Sequence, residues 1–298
     1  MSSLSSNEAS EGTVPRIAIA GATGRVGTAL ISALRDDDVD IVALTRNADP
    51  ARLREGLSLA AVDFGKPSSL SDALRGADRL FLAHGTSAQQ VENEIALIDA
   101  AVAAGVSHIV KLSVMGPASR LHPFDWHMQI EAHLAHHDIG YTILRPSSFV
   151  DILARAAGPV AAGTWGGAAG NGCVNLIDTR DVADTARIAL LDTSHAGSQR
   201  AYHLTGPAAI SMPEVAYELS HILGRSVTYH HRTPDEQRAV LTEAGISELV
   251  ADVLLGIDRL FRESVLAETT ATFEDLTGKA PRSVGAWLSE NIAAFRKG

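Results

Sequence analysis

Val14-Pro15-Arg16-Ile17-Ala18-Ile19-Ala20 runs directly into Gly21-Ala22-Thr23-Gly24-Arg25-Val26-Gly27, and this junction decides the fold. The run Val14 to Ala20 has the β-branched, apolar character of a buried parallel strand. Beyond the glycines, Ala29, Leu30, Ala33 and Leu34 fall on one helical stripe. Three glycines spaced G-x-x-G-x-x-G between a strand and a helix suit a dinucleotide phosphate. Gly21 makes the tight turn, Gly24 lets the backbone approach the pyrophosphate, and Gly27 lets the helix pack closely on the sheet. The N–H groups at the helix start then face the anion. Gly21, Thr23, Gly24, Arg25, Val26 and Gly27 are therefore the first candidate cofactor contacts. An ordinary strand-to-helix loop carries glycines too, but this one opens a unit of roughly thirty residues, where a dinucleotide site belongs.

Working outward, Ile41 to Leu44 reads as the second parallel strand, ending in Thr45-Arg46-Asn47. An acidic residue at this tip holds the ribose hydroxyls of NAD, whereas an arginine accommodates the 2′-phosphate of NADP. Arg46 thus points to NADP (NADPH) as cofactor, the plainer reading being a solvated loop residue. Leu57 to Val62 is the third strand, ending at Asp63, followed by a short helix over Ser69 to Leu74. Arg79 to Ala83 is the fourth strand, running into His84-Gly85-Thr86. Asp63, His84 and Gly85 lie at carboxyl strand ends, where a cofactor binds in such sheets. A helix follows over Gln90 to Ala104, with Ile95, Ile98, Ala101 and Val102 on one face and Gly105 closing it. His108 to Ser113 and Tyr141 to Pro146 are the fifth and sixth strands, separated by a helix from roughly His127 to His137. Strands alternating with helices at this spacing predict an α/β protein with a Rossmann-type, doubly wound parallel sheet.

The remainder differs in texture. Ala156 to Gly172 is a Gly/Ala stretch around Trp165, too rich in glycine for a stable helix, which suits either a mobile flap or a surface loop. Asp178-Thr179-Arg180-Asp181 caps a helix to about Leu191, and Ala201 to Leu204 is a further strand. Capping boxes at Ser211/Glu214 and Thr233/Glu236 open two more helices. Helical patterns continue to Glu268, then over Thr272 to Gly278 and Ser283 to Phe295. The expected division is a polar tail (1–13) and a nucleotide-binding part (14–155, with 174–206 returning to it). A smaller, mostly helical substrate-covering part comprises 156–173 and 207–298.

Composition narrows the function. The chain has 298 residues, 46% of them hydrophobic, enough for a large buried core. Its formal charge of −10 argues against a nucleic-acid partner, which demands a concentrated basic face. Cys173 is the one cysteine, so no internal disulfide forms and a reducing, cytoplasmic setting fits. Met1 to Thr13 lacks the basic start and apolar core of a signal peptide. No apolar stretch reaches the ~18 residues of a membrane span.

The glycine loop, the Arg46 tip, Lys111-Leu112-Ser113, His127 followed four residues on by Glu131, Tyr141-Thr142-Ile143-Leu144-Arg145-Pro146-Ser147-Ser148-Phe149 and Asp178-Thr179-Arg180-Asp181-Val182-Ala183 together resemble the NmrA-like atypical short-chain dehydrogenase/reductases. The stretch from Thr272 to Ser283 resembles that family's ending, so the similarity spans nearly the whole chain. The resemblance implies an NADPH-dependent reductase of quinones, triarylmethane dyes and related aromatic compounds, with Pro146 and Phe149 toward the nicotinamide. The family also holds dinucleotide-sensing regulators without turnover, and a reductase with one specialised biosynthetic substrate is a further alternative. A small aromatic or quinone-like partner is expected, and a homodimer is compatible with the sequence.

The acid of typical short-chain dehydrogenases, a Tyr-x-x-x-Lys pair, is missing: Tyr141, Tyr202, Tyr217 and Tyr229 have no lysine four residues on. Helical geometry puts His127, Ile130, Glu131 and Leu134 on one face. From there Glu131 would hold the His127 ring and raise its pKa, making it a proton donor. The plainer reading has His127 capping the helix or packing under a loop. Ser113 closes the fifth strand as a candidate substrate-orienting hydroxyl. Lys111 shares its strand face, with snorkelling to the sheet end as the alternative. Trp126 and Trp165 are weaker candidates for stacking on an aromatic substrate. His133, His136 and His137 fall on the other side of their helix with no acidic or thiol partner at ligand spacing. A solvated face, rather than a metal, is expected there.

Overall fold

Ile17 and Ile19 face one side of a central sheet while Ala18 and Ala20 face the other, the period-two alternation of a strand buried on both faces. The computed structural model describes residues 14–46, 57–116, 124–195 and 197–296; the segment 1–13 read as a tail lies outside them. The first half alternates as expected: β1 (Arg16–Ala20), α1 (Arg25–Ala33), β2 (Asp40–Thr45), β3 (Ser58–Ala61), α2 (Pro67–Ala73), β4 (Arg79–Leu82), α3 (Gln90–Ala103), β5 (His108–Leu112), α4 (Phe124–Leu134) and β6 (Gly140–Pro146). There follow β7 (Ser148–Phe149), a 3-10 helix (Val150–Ala156), α5 (Ala157–Ala161), β8 (Gly166–Gly167), β9 (Cys173–Ile177), α6 (Thr179–Leu191) and β10 (Gln199–Leu204). The chain ends with β11 (Ala209–Ser211), α7 (Met212–Leu223), β12 (His230–His231), α8 (Pro234–Glu243), α9 (Glu248–Arg262), α10 (Thr272–Thr277) and α11 (Val284–Arg296).

The main sheet has seven parallel strands in the order β3-β2-β1-β4-β5-β6-β10. Strand order reverses between β1 and β4, so a crevice opens beyond their carboxyl ends. Helices cover both faces. Leu30 and Ile31 of α1 pack with Val182 and Ala186 of α6 on one side, and Leu97 and Ile98 of α3 with Ile130 and Leu134 of α4 on the other. A separate core gathers Val215 and Leu219 of α7, Phe261 of α9 and Trp287 and Phe295 of α11.

The capping signals behave as their chemistry requires. Asp178 accepts the Arg180 N–H at 2.8 Å at the start of α6, and Ser211/Glu214 and Thr233/Glu236 form reciprocal boxes. Fully buried Asp181 pairs with Arg282 just before α11, and the Arg282 N–H donates to its Oδ2 at 2.8 Å. The Gly/Ala stretch, expected to hold no stable helix, carries the short helix α5, and from Trp165 to Ala169 it packs inward rather than running over the surface. Trp165, Ala168 and Ala169 are buried, and a β-carbon on Gly172 would lie 2.0 Å from the Phe261 carbonyl oxygen. Glycine is needed there because another segment's backbone passes that closely. Cys173, at the start of β9, is half-buried. Among the described residues no helix is long and apolar enough to cross a membrane.

Candidate active site

Gly21 adopts φ +75, and a β-carbon there would meet the Ala83 carbonyl oxygen at 2.7 Å, so the first turn lies against the end of β4. A β-carbon on Gly27 would lie 2.2 Å from the Gly21 carbonyl oxygen, which is how α1 starts so close to β1. Gly24 is the N-cap of α1 and supplies no capping side chain. The first N–H groups of a helix have no intrahelical acceptor, so this loop is left with donors for an anion, and it fits a pyrophosphate. Thr23 and Arg25 are exposed at the loop, whereas Val26 and Gly27 are buried. With Asp151, Thr179 and Arg180 opposite, the loop borders a crevice of about 730 Å³.

The other candidate cofactor contacts follow the strand ends, and none of them lines that α1–α6 crevice. Arg46 is exposed at the tip of β2. Asp63 is exposed after β3, where its carboxylate accepts the Gly65 N–H at 2.9 Å and so caps its own turn. His84 and Gly85 follow β4, with His84 Nε2 3.0 Å from the Asn93 amide and its ring edge-on to Phe64. Pro146 is buried at the end of β6, and Phe149 is half-buried in β7, which pairs with β9.

Lys111 of β5 does not snorkel; its side chain is wholly buried. Its Nζ lies 2.7 Å from Glu94 Oε2 of α3, both side chains being 0% exposed. It also donates to the Leu112 carbonyl and reaches His127 Nδ1 at 3.2 Å. Gln90 donates to Glu94 at 2.9 Å and lies 3.5 Å from His127 Nε2. An ammonium only donates, so with Lys111 nearer at 3.2 Å Nδ1 is assigned as the acceptor and the proton of the neutral ring to Nε2, which faces the Gln90 amide nitrogen at 3.5 Å and finds no acceptor there. Burial, reinforced by the neighbouring Lys111 charge, pushes the His127 pKa down to about 2. The ring is therefore neutral, the reverse of the raised pKa expected from the sequence. Nor does His127 cap its helix, since α4 starts three residues earlier at Phe124.

Glu131, expected to hold His127, is engaged elsewhere. Arg145 of β6 grips it at two points, Nη2 to Oε2 at 2.5 Å and Nε to Oε1 at 3.1 Å, and the Ser113 hydroxyl donates to Oε1. The paired carboxylate raises the Arg145 pKa further. Ser113, His127, Glu131 and Arg145 thus line one cavity of about 330 Å³, walled by Phe124 and Met128. A second, more apolar cavity of about 400 Å³ lies under α8 and α9. There Trp165 stands edge-on to Tyr229 with centroids 5.1 Å apart, while Trp126 is half-buried on α4.

Residues 21–193 match a family model described as NAD(P)H-binding. The chain belongs to that NAD(P)H-binding family, in keeping with the NmrA-like resemblance of its motifs. It is 31% identical over 284 residues to an NAD(P)H azoreductase of Xenophilus azovorans, covering 94% of this chain and 99% of the relative. A (4-alkanoyl-5-oxo-2,5-dihydrofuran-3-yl)methyl phosphate reductase of Streptomyces griseus is 33% identical over 284 residues, at the same coverage. Among solved structures, the NADPH complex of the quinone oxidoreductase QOR2 from Escherichia coli superposes with a TM-score of 0.85 at 29% identity. That match covers 93% of this chain and 99% of the other.

Gln90, Glu94 and Arg145 were not singled out from the sequence as site residues. The signal for the first two is Gln90-x-x-x-Glu94 on α3, four apart and continuous with the buried Leu97, Ile98 and Ala101. A carboxylate on a buried stripe calls for a buried cation, and Lys111 supplies it. His133 and His137, placed on a solvated face, meet the carboxylate of Asp99 from α3, an acidic partner 34 residues before His133.

Proposed function

We propose that this chain is a cytoplasmic, NADPH-dependent oxidoreductase acting on small aromatic or quinone-like acceptors. The observation that carries the reading is the placement of the Ser113–His127–Glu131–Arg145 cavity at the end of β5, in the same sheet whose β1 and β4 ends carry the uncapped glycine loop. Gly21, Thr23, Gly24, Arg25, Val26 and Gly27 would hold the pyrophosphate and Arg46 the 2′-phosphate. Asp63, His84, Gly85, Ser113, Pro146 and Phe149 would flank the remainder. Bound there, NADPH supplies a hydride, and the protein supplies orientation and a dry pocket.

The chain's own residues favour an acceptor that needs no strong acid. A quinone-like oxygen gains negative charge on reduction, and the neutral His127 Nε2–H stabilises it as a hydrogen-bond donor. Lys111, itself held by Glu94, keeps that tautomer by occupying Nδ1. Ser113 is fixed by Glu131, which Arg145 holds, so its hydrogen is engaged and its oxygen is left to accept from a hydroxyl or amine hydrogen of the acceptor molecule. With no tyrosine–lysine pair and an imidazole that stays neutral, the proton comes from water. The resemblance to the Streptomyces griseus enzyme supports a second reading, one specialised oxo-dihydrofuran-type substrate in the same cavity.

The test is to mix purified protein with NADPH and a panel of quinones, azo dyes and conjugated oxo-dihydrofurans, following NADPH absorbance. Turnover of quinones or azo dyes is expected. Turnover of the furans alone moves the assignment to the second reading. Tight NADPH binding without turnover of any acceptor refutes the enzyme and favours a dinucleotide sensor.

A further inference from the structure

The two helices that meet at Lys111 carry a second group of ligand-type side chains further along. His133 lies on α4 and His137 just past its end, four residues apart and so stacked on one side. Asp99 reaches them from α3. Asp99 Oδ1 is 2.7 Å from His133 Nε2 and 3.2 Å from His137 Nε2, and the two ring nitrogens are 3.2 Å apart. The rings stand edge-on, 67° between planes, with centroids 5.0 Å apart. His136 turns away, its Nδ1 donating to the Ala132 carbonyl at 2.5 Å.

Protons alone serve this triangle poorly. If both Nε2 atoms carry hydrogen and give it to Asp99, two N–H groups crowd each other at 3.2 Å. If only one does, a bare nitrogen lone pair and the carboxylate compete for one hydrogen. A cation at the common focus satisfies all three donors at once. Ligand atoms ~2.0–2.1 Å from a tetrahedral ion are ~3.3 Å from one another, which matches the two 3.2 Å sides of this triangle, while the 2.7 Å Asp99–His133 side would open to admit the ion. Two imidazoles and a carboxylate suit borderline ions such as Zn²⁺ in preference to Mg²⁺ or Ca²⁺. The side chains of His133, His137 and Asp99 are 31%, 25% and 52% exposed, so an ion has a path in and water can take a fourth position.

We propose that Asp99, His133 and His137 form a divalent transition-metal site that clips α3 to α4. The site itself lies outside the reaction end. Asp99 sits five residues beyond Glu94 on α3 and His133 six residues beyond His127 on α4, with His137 ten beyond it just past the end of that helix. Metal binding therefore tightens the α3–α4 frame.

The experiment uses full-length, tag-free, metal-free protein, with Zn²⁺ followed by calorimetry and Co²⁺ by visible absorption. One ion per chain is expected, with the intense visible bands of low-coordinate Co²⁺ and a rise in the thermal midpoint on adding Zn²⁺. D99N, H133A and H137A should each weaken binding ~10–100-fold or more, because loss of an outer-shell partner alone has that effect. They should also lose the thermal shift, whereas H136A keeps both responses. Circular dichroism checks that each variant is folded. Absence of Zn²⁺ and Co²⁺ binding to the parent protein overturns the proposal. So does binding of wild-type strength in the three ligand variants.

Discussion

The neutral His127 makes a quantitative claim about stability. Its folded pKa is pushed down to about 2 by burial and Lys111, against 6.5 for a free imidazole. Below the unfolded value the unfolded chain binds a proton that the native state refuses. The contribution is complete above that value and lost as pH falls toward the folded one. Each pH unit inside this window costs about 1.4 kcal/mol. Between about pH 7.5 and about pH 5 the loss from this residue is therefore about 2 kcal/mol. His108 contributes in the same direction, its pKa lowered to about 4 mainly by burial, so the raw pH dependence of the protein is not diagnostic. The comparison that isolates His127 is with His127→Gln, whose amide oxygen can still accept from Lys111. Urea unfolding followed by tryptophan fluorescence should show the parent losing about 2 kcal/mol more than the variant over that pH interval. Proton NMR of the ring, assigned by its absence in the variant, should show no titration there. Equal pH slopes for the two proteins, or a ring that titrates near its free value, would refute the assignment of a neutral imidazole.

Other outcomes follow from the same geometry. Arg46→Ala should weaken NADP binding roughly ten- to a hundredfold while sparing NAD, since a hydrogen bond to a charged group contributes ~1.5–3 kcal/mol; calorimetry with both nucleotides checks it. Gly27→Ala places a β-carbon against the Gly21 carbonyl, so it should cost ~1–3 kcal/mol in urea unfolding and weaken NADPH binding at the loop. Lys111→Met strands Glu94 without a counter-charge and should destabilise by ~3–5 kcal/mol. Adding Glu94→Gln should recover part of that loss in thermal melts, and a double variant no better than the single would count against the pair. Glu131→Gln frees Arg145 and Ser113 together, and in steady-state assays with a quinone it should raise KM with little change in NADPH affinity.

The strand-to-helix junction and the alternation after it were legible because they depend on local rules: period-two burial in β1, glycines where α1 crowds Gly21, capping side chains at Asp178, Ser211 and Thr233. What escaped depends on contacts distant in sequence. Of the α3 stripe chosen from apolar residues, Ile98 and Ala101 lie on the buried face, but Ile95 and Val102 give way to Gln90, Glu94 and Leu97, so that a carboxylate can meet Lys111. Glu131 was assigned to His127 from helical spacing alone, but Arg145, reaching in from the neighbouring strand, is the stronger partner. Asp99 escaped likewise, because the helix that supplies it is not the one carrying the histidines. The Gly/Ala stretch read by composition as either a mobile flap or a surface loop, yet its Gly172 is what admits the backbone at the end of α9.

The sealed Lys111–Glu94 pair also separates the molecule's responses to ionic strength. Dissolved ions cannot enter between two wholly buried groups, so the field felt by the His127 ring is the same in dilute buffer and in brine. Exposed Arg25 and Arg46, by contrast, sit within the reach of counter-ions, which screen surface charges over about a Debye length of ~8–10 Å at ordinary ionic strengths. Added salt should thus loosen the grip on the nucleotide's phosphates while leaving the rate of the saturated enzyme nearly untouched.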